Sequence, residues 1–111
     1  MDASRYEYRV AWSEEDDVFI GRVTEFSLLA AHGDTEEEAL REIRFVVQEV
    51  LEDLKEKGEA VPPPLSTRKY SGKINLRMPE YLHRDLVMEA ARQGISLNQL
   101  ILLRLSPGSR V

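Results

Sequence analysis

No cysteine occurs anywhere in the chain. That excludes disulfide bridges and thiolate metal centres. Histidine is nearly absent too, with two copies, which leaves little to hold zinc. No apolar run approaches the ~18 residues that a membrane span needs. Met1-Asp2-Ala3 opens no signal peptide. A glycine-rich phosphate loop, a His-Glu-x-x-His pair and a nucleophile elbow are all missing. The expectation is a soluble cytoplasmic protein that needs no cofactor, meets no membrane and is not an enzyme.

What is present is 111 residues, 42% of them hydrophobic. That suffices for one ordinary domain or two very small ones. The net charge of −5, taken globally, argues against nucleic acid. The charge is split, however. Residues 1–66 hold 17 acidic and 7 basic side chains, a net of −10, and residues 67–111 hold 3 and 8, a net of +5. Such asymmetry indicates two units with different partners. The divide falls at Val61-Pro62-Pro63-Pro64-Leu65-Ser66-Thr67. Three consecutive prolines favour an extended spacer. The expected domains are therefore 1–66 and 67–111.

In the acidic unit, Tyr6 to Trp12 alternates and is aromatic, as strands are. Glu14, Glu15, Asp16 and Asp17 then form a polar turn. Clustered carboxylates can hold magnesium, but a solvated hairpin tip is the stronger reading. Val18 to Val23 reads as the second strand. Gly21 inside it marks a bulge or a close backbone approach. Ser27 to Ala31 reads as a short third strand. His32 lacks a Ser, Cys or acid partner at a diagnostic spacing, so a structural role is expected. Tyr6, Tyr8 and Trp12 are expected in core and cross-strand packing rather than in a ligand cage.

A helix then starts near Gly33-Asp34-Thr35, with Thr35 and Glu38 at capping-box spacing. Apolar residues recur at Ala39, Leu40, Ile43, Val46, Val47, Val50, Leu51 and Leu54, one stripe at helical spacing. Gly58 fits its end. A final edge strand near Val61–Leu65 is left open.

The basic unit begins with Lys73-Ile74-Asn75-Leu76-Arg77-Met78. Ile74, Leu76 and Met78 face one way and Lys73, Asn75 and Arg77 the other, the period of a strand. Lys and Arg pair with guanine edges and phosphates, and Asn pairs with adenine. Pro79 is expected at the first position of a helix. That helix carries Leu82, Leu86, Met88, Ala90 and Ala91 and stops at Gly94. Ser96 and Gln99 form a capping box, with Ile95 and Leu100 as a hydrophobic staple. The last helix runs through Leu97, Leu100, Ile101, Leu102, Leu103 and Leu105 until Pro107 and Gly108. It is apolar nearly all round, so it should be buried. Yet the 34 residues from Lys73 to Ser106 are too few to fold alone, since chains below ~40 residues usually need disulfides, metals or oligomerisation. Two copies that pair these strands antiparallel would solve the problem. Their two-stranded ribbon would fit a DNA major groove.

At this point the chain resembles known proteins. Residues 74–101, with Asn75-Leu76-Arg77-Met78-Pro79 and Gly94-Ile95-Ser96-Leu97-Asn98, resemble a ribbon-helix-helix DNA-binding domain of the Arc/MetJ type. The resemblance implies that Lys73, Asn75 and Arg77 contact bases. It implies that backbone N–H groups at Ser96, Leu97 and Asn98 hold a phosphate, as helix N-termini can. The dimer core would hold Ile74, Leu76, Met78, Leu86, Leu100 and Ile101. More widely, roughly residues 5–106, with Gly-Asp-Thr-x-Glu-Glu-Ala-Leu at Gly33–Leu40, resemble the HicB family of antitoxins. The implied fold class is α+β, a partial RNase H-like β-β-β-α unit followed by a ribbon-helix-helix. The implied partners are a small HicA-like RNase toxin, operator DNA and a second copy, with higher assembly left open.

An RNase H-like fold raises the question of nuclease activity. The expected strands carry only Glu7 and Glu25, too few to converge on magnesium, so a binding role is expected. A stand-alone repressor whose N-terminal unit senses a ligand or binds a protein is the alternative.

Overall fold

The computed structural model describes residues 2–106. The protein is α+β: three antiparallel strands pack on a long helix, and two C-terminal helices follow. It divides into two compact units, with the boundary between Ser71 and Gly72.

In the first unit, alternation drives β1 (Tyr8–Ser13) and β2 (Val18–Val23) into a hairpin. Its tip, Glu14 to Asp17, is exposed. It is held by Asp17 N–H to Ser13 O at 2.8 Å and by Trp12 Nε1–H to Glu14 Oε2 at 2.6 Å. The acids therefore sit on a solvated turn. The third strand, β3 (Ala30–Gly33), pairs with β2 and gives the order β1-β2-β3. It lies later than the expected Ser27 to Ala31. Tight turn bonds, Phe26 N–H to Val23 O and Leu29 N–H to Phe26 O, occupy the preceding segment.

Thr35 caps α1 (Glu36–Glu56), its hydroxyl accepting from the Glu38 N–H at 3.1 Å. Three glutamates occupy the first turn, where the helix dipole favours them. Ala39, Ile43, Val47 and Leu51 are buried, one residue per turn along the face laid on the sheet. With Ala3, Tyr6 and Val23 they make the core. Gly21 permits this packing without a bulge, for a Cβ there would stand 2.7 Å from the Ala39 carbonyl oxygen and 2.9 Å from Ile43 Cγ2. Gly21→Ala is expected to destabilise this unit by about 1–3 kcal/mol through overpacking. A thermal melt followed by circular dichroism checks it.

Trp12 packs edge-on against Phe19 across the hairpin, with ring centroids 5.1 Å apart, but it remains 46% exposed. It is a cross-strand contact and not a core residue, because it sits at the hairpin's end beyond the reach of α1's buried stripe. The proline segment forms no strand. Prolines lack the N–H that a ladder needs, and the available groups go elsewhere. Tyr6 Oη–H donates to Pro62 O at 2.6 Å, Leu65 N–H to Glu25 Oε2 at 2.8 Å, and Ser66 Oγ–H to Arg5 O at 2.8 Å. The segment is thus strapped onto its own unit.

This strap depends on pH. Burial pushes the phenols of Tyr6 and Tyr8 above their ordinary 10.0, helped at Tyr6 by the nearby Glu25 carboxylate. The folded chain holds these protons more tightly than the unfolded chain. Their contribution is complete below pH 10 and is lost as pH rises through the raised values. The melting temperature should fall above about pH 10, and Tyr6→Phe should soften that fall. The same variant should cost about 0.5–1.5 kcal/mol at neutral pH for the lost hydrogen bond.

In the second unit, α2 (Glu80–Gln93) and α3 (Leu97–Leu105) form a helical pair. Pro79 is the N-cap of α2, with ψ of 145°, and not its first helical residue. Its extended ψ ends the preceding segment one residue later than expected. Gly94 closes α2 at φ 71°, a left-handed conformation that costs glycine little. Its N–H bonds Ala91 O and the Ile95 N–H bonds Ala90 O, the paired closure of a Schellman motif. The capping box of α3 is complete, with Gln99 N–H to Ser96 Oγ at 3.0 Å and Ser96 N–H to Gln99 Oε1 at 2.9 Å. Arg104 pairs with Glu89 across the two helices. Pro107 and Gly108, expected to end α3, lie outside the described residues.

Candidate nucleic-acid interface

The stretch from Lys73 to Met78 is not a strand within this chain. A strand exists by its ladder, and the chain offers this stretch no neighbouring strand. Its side chains are all exposed except Met78, which is half-buried. Ile74 is 83% and Leu76 66% exposed. The α2–α3 pair shows the same deficit. Only Ala90 and Leu100 are buried. Leu102, Leu103 and Leu105 all lie open, with Leu103 64% exposed. The expectation that α3 is buried therefore fails for a single chain, because α2 can cover only one side of a nine-residue helix that is apolar on several.

Lys73, Asn75 and Arg77 alternate with Ile74, Leu76 and Met78 along one short stretch. Leu86 and Ile101 are half-buried, while Leu100 is already covered by its own chain. At the start of α3, the Ser96 N–H is taken by Gln99. The Leu97 and Asn98 N–H groups have no acceptor among the described residues. These two donors, at the positive end of the helix, are the ones open to an anion.

The first unit offers no comparable nucleic-acid surface on its helix. Glu7 and Glu25 do not converge on a metal position. Glu25 accepts from the Glu7 and Leu65 N–H groups, and Glu7 accepts from the Thr24 hydroxyl at 2.5 Å. The Glu25 carboxylate fastens the sheet edge to the proline segment, and the Glu7 carboxylate holds the Thr24 hydroxyl. His32 sits on the exposed side of β3 opposite Ile20.

Two features of this unit escaped the sequence reading. On the sheet face turned away from α1, Arg9 stands directly opposite Arg22, beside Ala11 and Ile20, in an open depression of about 250 Å³. Simple alternation could have placed those arginines together. On α1, Phe45 points into solvent. Its spacing from the apolar stripe was the available signal.

The molecule so described joins an acidic sheet-and-helix unit to a small helical pair whose apolar surface one chain leaves uncovered. Residues 51–105 match the model of the HicB family. The matched stretch runs from the last turns of α1 through α3. The Gly33–Leu40 segment lies outside the matched span. No curated protein and no solved structure matches the chain. Among the described residues, no helix is long and apolar enough to cross a membrane.

Proposed function

We propose that the protein is the antitoxin of a HicAB-type pair. It binds and neutralises a HicA-like RNase through its acidic N-terminal unit and represses its own operon through its C-terminal unit. The observation that carries this reading is the uncovered apolar surface of residues 74–105, which lies inside the span matched to the HicB family. A second copy covers it. The Lys73 to Met78 stretches then pair antiparallel, and each supplies the other with a ladder. Ile74, Leu76 and Met78 turn inward with Leu86, Leu100 and Ile101.

The outward residues Lys73, Asn75 and Arg77 repeat across the two-fold axis as a ribbon in the major groove, where such side chains read bases. The free N–H groups of Leu97 and Asn98 seat a flanking phosphate, while Ser96 holds the cap. The role is binding and not catalysis, since the Glu25 carboxylate is engaged by the Glu7 and Leu65 N–H groups and the Glu7 carboxylate by the Thr24 hydroxyl. The N-terminal β-β-β-α order is the one that a partial RNase H-like unit has.

Two measurements test the proposal together. The full chain should co-purify with the product of the adjacent reading frame. It should also bind DNA from its own upstream promoter in fluorescence anisotropy, with an affinity that falls as salt rises. Absence of both interactions overturns it.

A further inference from the structure

The buried residues of α1 recur along one side, and its opposite side should be uniformly polar. Phe45 breaks that rule. It lies two positions from both Ile43 and Val47, on the side turned away from the core, and is 60% exposed. No ring or core contact among the described residues engages it. The residues one turn away are Arg41, Glu42, Gln48 and Glu49, and Glu52 continues the same stripe with a hydrogen bond from Gln48. An aromatic residue thus stands among three carboxylates, Glu42, Glu49 and Glu52, against one cation, Arg41. A solvent-exposed phenyl ring gains nothing for the fold, whereas aromatic residues at the centre of a polar rim dominate protein interfaces.

The unit's other open face has the opposite character. Arg9 and Arg22 oppose each other directly across the strands, a like-charged pair that repels. Charge therefore sorts the two faces. A basic partner is attracted to α1 and repelled from the sheet.

We propose that the Phe45 face of α1 is the surface by which this chain captures a basic protein, the phenyl ring entering an apolar pocket rimmed by lysine or arginine. The assignment rests on the proposed function, under which that protein is the toxin.

The test uses full-length chains and the product of the adjacent reading frame, with affinity read by titration calorimetry and mass by light scattering. Phe45→Ala should weaken binding about thirtyfold or more, as loss of an interface anchor does. Its melting temperature and promoter binding should stay at the parent's values, because the ring is outside the core. Glu42→Gln with Glu49→Gln should weaken binding and flatten its salt dependence. Arg9→Ala with Arg22→Ala should leave affinity within about twofold, since rim charges on a remote face contribute little. Parent-like binding by Phe45→Ala overturns the assignment. So does a loss confined to the Arg9 and Arg22 variant. A Phe45→Ala chain that loses oligomer mass while keeping its partner shows that a second copy occupies the face, and it overturns the assignment too. If the parent chain itself fails to bind, the antitoxin reading falls and takes this assignment with it.

Discussion

Leu76→Glu should abolish dimer formation and promoter binding together. Leu76 is 66% exposed in one chain, and the proposed pairing of two copies would bury it. Burial of a leucine side chain contributes roughly 1.5–3 kcal/mol. The two-fold axis makes every substitution count twice. A glutamate there adds the cost of a carboxylate in an apolar seam, several kcal/mol per unpaired ion. The sum exceeds what a helical pair with two buried residues can supply. Light scattering should therefore give the monomer mass, and anisotropy should show no promoter binding at micromolar protein. The first unit has its own core around Ile43, Val47 and Leu51. Its melting transition and its capture of the adjacent gene's product should survive. A dimeric Leu76→Glu chain would mean that residues 73–78 are not the seam.

Arg77→Ala and Asn75→Ala should have the next largest effect. Each should cost about 1–3 kcal/mol of discrimination, the usual worth of a bidentate contact to a base edge. The loss falls in both half-sites. The dimer should persist, because these side chains alternate away from Ile74, Leu76 and Met78. Anisotropy on promoter DNA and on a scrambled duplex separates the outcomes. Base contacts predict a narrowed gap between the two duplexes. A uniform loss on both would assign the residues to phosphates instead.

How far the sequence disclosed this structure depends on how local each signal is. The helices were legible because their stops and starts are short-range chemistry. Thr35, Gly94 and the Ser96–Gln99 box act within a turn of themselves, and each sits where the spacing places it. The hairpin was legible for the same reason. β3 was displaced because its position is not local. Pairing of Phe19 with Gly33 and of Arg22 with Ala30 fixes it, and the alternation of Ser27 to Ala31 carries no information about either. The proline segment misled in a similar way. Its bonds to Tyr6, Glu25 and Arg5 come from residues some 40–60 positions away.

The candidate interface divides likewise. The alternation from Lys73 to Met78 nominates its side chains. Its geometry was not evident, because a ladder requires a partner that one sequence read once does not display. The Ser96 N–H illustrates the finer grain. The sequence presents three donors at the start of α3, and the capping box that the same residues form uses one of them. Phe45 shows the reverse case. The periodicity that defined the core stripe excluded it, and an excluded phenylalanine is itself a signal once the opposite face is known to be open.

The antitoxin reading is tested most directly by growth. The adjacent reading frame is expressed from an inducible promoter, alone and together with this chain. The account predicts arrest in the first culture and restored growth in the second, with restoration retained by Leu76→Glu and lost with Phe45→Ala. An adjacent product that does not arrest growth, or an arrest that the parent chain does not relieve, would contradict it.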